Sequence, residues 1–175
     1  MTLTNLDLQQ LDPATGAVQA QSNSTIDNVE QVRSPAPAAT AIYKVKATST
    51  VDALPAEPFA LGSARPLTPL GTPQPEVTLD VAAGVQRAQE TATVTATVRN
   101  PSAELTAENA SLTLELPAGV ELVSGAQTRS LGTLPTSSPT QTFAWTVVGS
   151  TDGVKAITAS AQASRYGETF TGTAT

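Results

Sequence analysis

The 175-residue chain contains neither cysteine nor histidine. Disulfides, thiolate nucleophiles, histidine-dependent triads, haem ligation and the usual zinc sites are therefore excluded within it, and the expectation is a protein that is not an enzyme. Aromatic residues are scarce, with three Phe, two Tyr and one Trp, and charged residues make up 14%. A core must then be built mainly from Val, Leu, Ile, Ala and Thr methyl groups, a palette that favours β-structure. No window approaches ~18 consecutive apolar residues, so no helix is expected to insert into a membrane. Met1-Thr-Leu-Thr-Asn lacks the basic and apolar regions of a secretory signal, and the absence of cysteine is compatible with an extracellular home. Nine Lys and Arg against 15 Asp and Glu give a net charge of −6 without a basic cluster. Nucleic acid is not an expected partner, because neutralising phosphates needs concentrated positive charge.

What is present is threonine and alanine, 28 of each, and proline concentrated in one place: eight of 13 fall between Pro35 and Pro75. Three regions follow: an N-terminal β-hairpin arm over 1–33, a proline-rich connector over 34–75, and a strand-rich region over 76–175. In the arm, Leu6 and Leu8 alternate with polar residues. Asp12-Pro-Ala-Thr-Gly16 then reads as a turn in which Pro13 presets φ, Gly16 supplies a positive φ and Asp12 accepts from the backbone two residues on. A second polar strand is expected from Ala17 to Val32. Within the connector, Ala41-Ile-Tyr-Lys-Val-Lys-Ala-Thr48 is a strand candidate and Pro58-Phe-Ala-Leu61 a shorter one.

From Glu76 onward, short alternating segments recur at the spacing of a sandwich or barrel, counted as seven strands with Ser111–Leu116 and its continuation Val120–Val123 taken as one. They are Val77–Val81, Thr91–Arg99, Ser111–Leu116 turning at Pro117-Ala-Gly119 into Val120–Val123, Arg129–Leu134 as a short edge strand, Thr142–Val148, Val154–Ser164 and Glu168–Thr175. Val94, Leu114, Phe143, Trp145 and Ile157 are the expected core.

Asn100-Pro101, Leu116-Pro-Ala-Gly-Val120, Leu131-Gly-Thr-Leu134, Phe143-Ala-Trp-Thr-Val147 and Gly153-Val-Lys-Ala-Ile-Thr-Ala-Ser-Ala161 together resemble the immunoglobulin-like repeat domains of bacterial cell-surface proteins, of the cell-adhesion-related (CARDB) and conserved-repeat types. The resemblance covers about residues 76–175. A shorter one, over Asn5, Asp12-Pro-Ala-Thr-Gly16 and Gln21-Ser-Asn-Ser-Thr-Ile26, is to the strand-turn-strand segments near the start of such proteins. It implies an all-β fold, a seven-stranded immunoglobulin-like β-sandwich, and an exported, non-catalytic spacer, stalk or adhesin piece at the bacterial surface.

Each candidate site has a plain structural alternative. Glu104 and Glu108 are close enough in sequence to act as a carboxylate pair, and Asp7, Asp12 and Asp27 to gather around a hard cation. No dense ligand loop accompanies either group, so solvated carboxylates are expected. Gly62-Ser-Ala-Arg65 matches no nucleophile elbow or phosphate loop. Lys44, Lys46 and Lys155 are the lysines from which a Cys-free stalk would form an isopeptide cross-link, a reaction that needs desolvated partners; lysines guarding strand edges are the expected reading. Trp145 with Phe143 is expected in the core rather than as a sugar platform. Asn23-Ser-Thr and Asn109-Ala-Ser fit the glycosylation sequon. No catalytic, cofactor-binding or metal-ligating residue is assigned.

The expected function is a structural module of a bacterial surface layer, stalk or fibre. Its partners are other copies of itself or other surface proteins, met through strand edges, the hairpin and the 41–48 strand covering an edge of the same molecule or of a neighbour. A homo-oligomer is one outcome. The alternative is a carbohydrate- or protein-binding module using loops 102–109, 124–127 and 150–153 at the sandwich ends.

Overall fold

Asp12 closes the first turn by the chemistry its sequence predicts. Its Oδ1 accepts from the backbone N–H groups of Ala14 (2.9 Å) and Thr15 (2.8 Å), and Gly16 adopts φ +72°. In the computed structural model, which describes residues 5–24, 29–33, 40–49, 59–81 and 88–175, this turn joins β1 (Asn5–Leu11) to β2 (Val18–Ser22) in antiparallel pairing. The second strand is shorter than expected. Beyond Ser22, Ser24 N–H donates to Glu30 Oε1 and Gln31 N–H to Ser22 Oγ, so side chains replace a ladder as backbone partners. The strand expected at 41–48 forms as β3 (Ile42–Ser49) and pairs antiparallel with β1, from Leu11↔Ile42 to Asn5↔Ser49, giving a sheet in the order β2-β1-β3. Leu8, Gln10 and Leu11 of the central strand are buried. Phe59–Leu61 forms no strand and is exposed, correcting the shorter candidate there; Pro58 lies outside the described residues.

The chain divides into two compact units, Met1–Thr68 and Pro69–Thr175. The second is all-β, with eight strands rather than the seven counted: β4 (Glu76–Val81), β5 (Thr91–Arg99), β6 (Ala107–Glu115), β7 (Val120–Ser124), β8 (Thr128–Leu134), β9 (Gln141–Gly149), β10 (Thr158–Arg165) and β11 (Glu168–Ala174). They form two antiparallel sheets, β4-β5-β9-β7 and β11-β10-β6-β8. Alternation puts Val77, Val94, Ala96, Val98, Trp145 and Val147 of the first sheet, and Ala107, Ala110, Leu112, Leu114, Leu134 and three β10 alanines of the second, into one buried cluster, a β-sandwich core. The volumes are complementary: a row of small side chains, Ala159, Ala161 and Ala163, lies on an inner strand of one sheet and the chain's one Trp on an inner strand of the other. Of the expected core, Val94, Leu114 and Trp145 are buried, while Phe143 and Ile157 pack half-buried against the cluster.

Strand boundaries moved for physical reasons. β6 starts at Ala107 rather than Ser111, because Asn109 (φ +51°) is a bulge that sets Ala107 and Ala110 three residues apart and hides the alternation. β10 starts at Thr158 rather than Val154, because its neighbours end there: Thr158 lies opposite Glu115, and Ala159 opposite Ala174. Val154 is fully exposed. The β10–β11 hairpin turns on Tyr166 and Gly167, both with positive φ, the geometry that matches the twist of a two-residue hairpin.

Candidate functional site

Glu104 and Glu108 do not act as a pair, and neither is the freely solvated carboxylate expected, because each has a structural partner. Glu104 Oε2 accepts the Gly71 backbone N–H at 2.8 Å, whereas Glu108 forms an ion pair with the buried Arg165, whose guanidinium also stacks on Tyr166 at 4.4 Å. Asp7 lies in β1 opposite Lys46, and Asp27 lies outside the described residues. Hydrogen bonds from the Thr15 backbone N–H and hydroxyl, then those from Ala14 and Gln19, hold the Asp12 carboxyl below its ordinary value of 3.8. Among the described residues, no three Asp or Glu side chains gather as metal ligands.

None of the three lysines is buried among apolar groups. Lys44 is half-buried and Lys46 exposed. Half-buried Lys155 donates to Thr151 Oγ1 at 2.9 Å, a hydroxyl with no carbonyl to condense with. Asn109, in the second sequon, has its amide committed to Ser164 Oγ at 3.0 Å. Gly62–Arg65 is exposed, and Arg65 N–H donates to Ser63 Oγ. Trp145 is 1% exposed and its Nε1 donates to Ala126 O at 2.8 Å, which places it beneath the 124–127 loop and unavailable for stacking on a sugar.

Two residues that had been given no site role organise the unit. Asn100, fully buried at the end of β5, donates from Nδ2 to Leu105 O (2.8 Å), Pro135 O (3.1 Å) and Leu134 O (3.4 Å), and its Oδ1 accepts from Ser102 N–H (3.2 Å). Its own N–H donates to Ser138 Oγ at 2.7 Å, so one side chain and its backbone tie the 100–106 loop to the 135–140 loop. Its sequence signal was an Asn before Pro at a strand end. Arg129 is the second. From β8 its guanidinium lies 5.6 Å from the Trp145 ring and 5.9 Å from the Phe143 ring.

The chemistry the topology exposes is that of strand edges. β2 and β3 border the N-terminal sheet, and β4, β7, β11 and β8 border the sandwich. On the β4–β11 side the two sheets approach backbone to backbone: a Cβ at Gly172 would run into Pro75 O. On the other side, β7 is five residues long beside the nine of β9, and β8 is kinked at Gly132 (φ +69°). Compared with protein-family models and with curated protein sequences, the chain matches none.

Proposed function

We propose that this chain is a non-enzymatic, extracellular structural module of a bacterial surface layer, stalk or fibre that assembles through β-strand edges. The strand order of the sandwich carries the proposal. Lettered in chain order with β8 set aside, β4, β5, β9 and β7 fall in the A-B-E-D sequence of an immunoglobulin constant-type sheet, and β11, β10 and β6 in its G-F-C sequence, with β8, which lies between D and E in the chain, an additional strand beside C. Seven strands thus follow the immunoglobulin-like pattern and the eighth extends it, which supports the resemblance carried by Leu116-Pro-Ala-Gly-Val120 and Leu131-Gly-Thr-Leu134. The outer faces suit a soluble rod segment. Thr171, Gln162, Ser111 and Ser130 lie in register across one sheet, and Thr78, Thr97 and Thr142 across the other. Such rows hydrogen-bond to water and to each other without exposing an apolar surface. Residues 59–72, all exposed, span the boundary between the two units.

The test is the molar mass of the full chain by light scattering over a concentration series. A mass that climbs with concentration is expected, and a constant single-chain mass would overturn assembly through self-pairing edges.

A further inference from the structure

The register of β7 on β9 runs from Val120↔Gly149 to Ser124↔Thr146. Among the described residues, the first five of β9, Gln141–Trp145, therefore have no strand beside them on that side. Ala144 O faces this gap, because Arg129 Nη2 reaches in from β8 and donates to it at 3.4 Å. In an antiparallel strand the N–H and C=O of one residue share a side, and residues two apart repeat it. The Ala144 N–H and both backbone groups of Thr142 therefore face the same gap, at two exposed positions.

Arg129 completes the arrangement. Its guanidinium contacts Ala144 O on one hand and lies 5.6 and 5.9 Å from the Trp145 and Phe143 rings on the other, forms no ion pair among the described residues, and has a buried Nε without a hydrogen-bond partner. Its one hydrogen bond is long. In a chain of net charge −6, a cation without a carboxylate sits beside a row of unpaired strand groups.

We propose that this gap is a docking site for an extended, acidic segment of a separate protein, which adds to β9 at Thr142–Ala144 as a short strand and places a carboxylate on Arg129. The incoming N–H takes Ala144 O and the carboxylate takes the guanidinium, so a long contact is exchanged for a ladder bond and a charge-assisted pair. Charge selects the occupant: two copies paired through this edge by a two-fold axis would bring their Arg129 side chains together. This inference rests on the edge-assembly reading above and names the edge and the partner chemistry.

The test titrates the full chain with synthetic strand-forming peptides of about seven residues, one with alternating Glu and Val, one with Gln for Glu, and one with the Glu sequence N-methylated at its central residue. Amide NMR shifts and Trp145 fluorescence are read. The Glu peptide is expected to move the Thr142 and Ala144 amides, to bind about tenfold tighter than the Gln peptide, and to weaken as salt is raised; N-methylation abolishes binding. Arg129→Gln removes the preference for Glu over Gln. The two unmethylated peptides binding alike, the N-methylated peptide binding unimpaired, or shifts confined to other strands, would overturn the site with the protein unmodified and folded. If mass grows with concentration while no peptide binds at β9, this site fails and edge assembly stands; if neither occurs, both fail.

Discussion

Replacing Asn100 by alanine tests how the sandwich end is held. The substitution takes a donor from Leu105 O and Pro135 O, at 2.8 and 3.1 Å, and from the more distant Leu134 O, at a site with no exposure to water. Each buried carbonyl left without a partner costs about 1–3 kcal/mol, so the variant should lose about 3 kcal/mol, a large share of the roughly 5–15 kcal/mol by which a domain is stable. Asn100→Asp is the sharper probe. It puts a carboxylate oxygen where Nδ2 stood, facing the same carbonyls, and should cost about 4–5 kcal/mol. Ser138→Ala removes the acceptor of the Asn100 N–H and should cost about 1 kcal/mol. Urea unfolding followed by Trp145 fluorescence reports this unit directly, since Trp145 is the chain's one Trp and is buried; a shift in midpoint at constant slope is the expected signature. The reasoning fails if Asn100→Ala stays within about 1 kcal/mol of the parent, or if Asn100→Asp is no worse than Asn100→Ala.

Gly172→Ala should destabilise the sandwich by at least about 2 kcal/mol, because the new methyl must displace the Pro75 backbone; thermal unfolding checks it. Asp12 has a folded-state pKa lowered by its hydrogen bonds, so its contribution is present above about pH 4 and fades as pH falls through the lowered value, the unfolded chain binding the proton first. The protection of the Ala14 and Thr15 amides, their exchange rate relative to that of an unprotected amide at the same pH, should fall over that window, and Asp12→Asn, which keeps an acceptor oxygen, should show no such fall. Glu108→Ala should cost about 1.5–3 kcal/mol by removing the carboxylate from the mostly buried Arg165 guanidinium, with Glu108→Gln recovering part of the loss in chemical denaturation.

Much of this fold was legible because alternation within a strand is a local property. Val94, Ala96 and Val98 on β5 and Trp145 and Val147 on β9 alternate with exposed or half-exposed residues, and all five are buried. The Asp12 turn was equally local, since Pro13, Gly16 and an acceptor side chain fall within five residues. Where alternation failed, geometry had broken the period. The Asn109 bulge hid the start of β6, and Ala17–Val32, with Val18 the one large apolar residue of its first half, carried too little apolar pattern to mark the end of a strand at Ser22. The organising roles of Asn100 and Arg129 were not legible. Their partners lie up to 38 residues away for Asn100 and on another sheet for Arg129, and sequence spacing does not encode which carbonyls, hydroxyls or rings a fold brings to a residue.

Edges differ from faces in the same way. Whether a residue points into the core follows from its own strand, but whether its backbone is paired depends on where the neighbouring strand stops. β7 is confined between the Pro117–Gly119 turn, where Gly119 has φ +80°, and Gly125, with φ +97°, where the chain leaves one sheet for the other. Gly125 cannot readily be replaced, since a Cβ there would lie 3.0 Å from Arg129 Nη2 and 3.1 Å from Trp145 Cδ1. The crossing that seats Arg129 over Trp145 is thus also what ends β7: it passes beside Ala144 O, which a Cβ at Gly125 would meet at 3.7 Å, and leaves Thr142 and Ala144 without a neighbouring strand on that side. One backbone constraint accounts for both the placement of the cation and the unpaired stretch beside it, which is why the gap belongs to the architecture of the sandwich and does not reflect fraying of its edge.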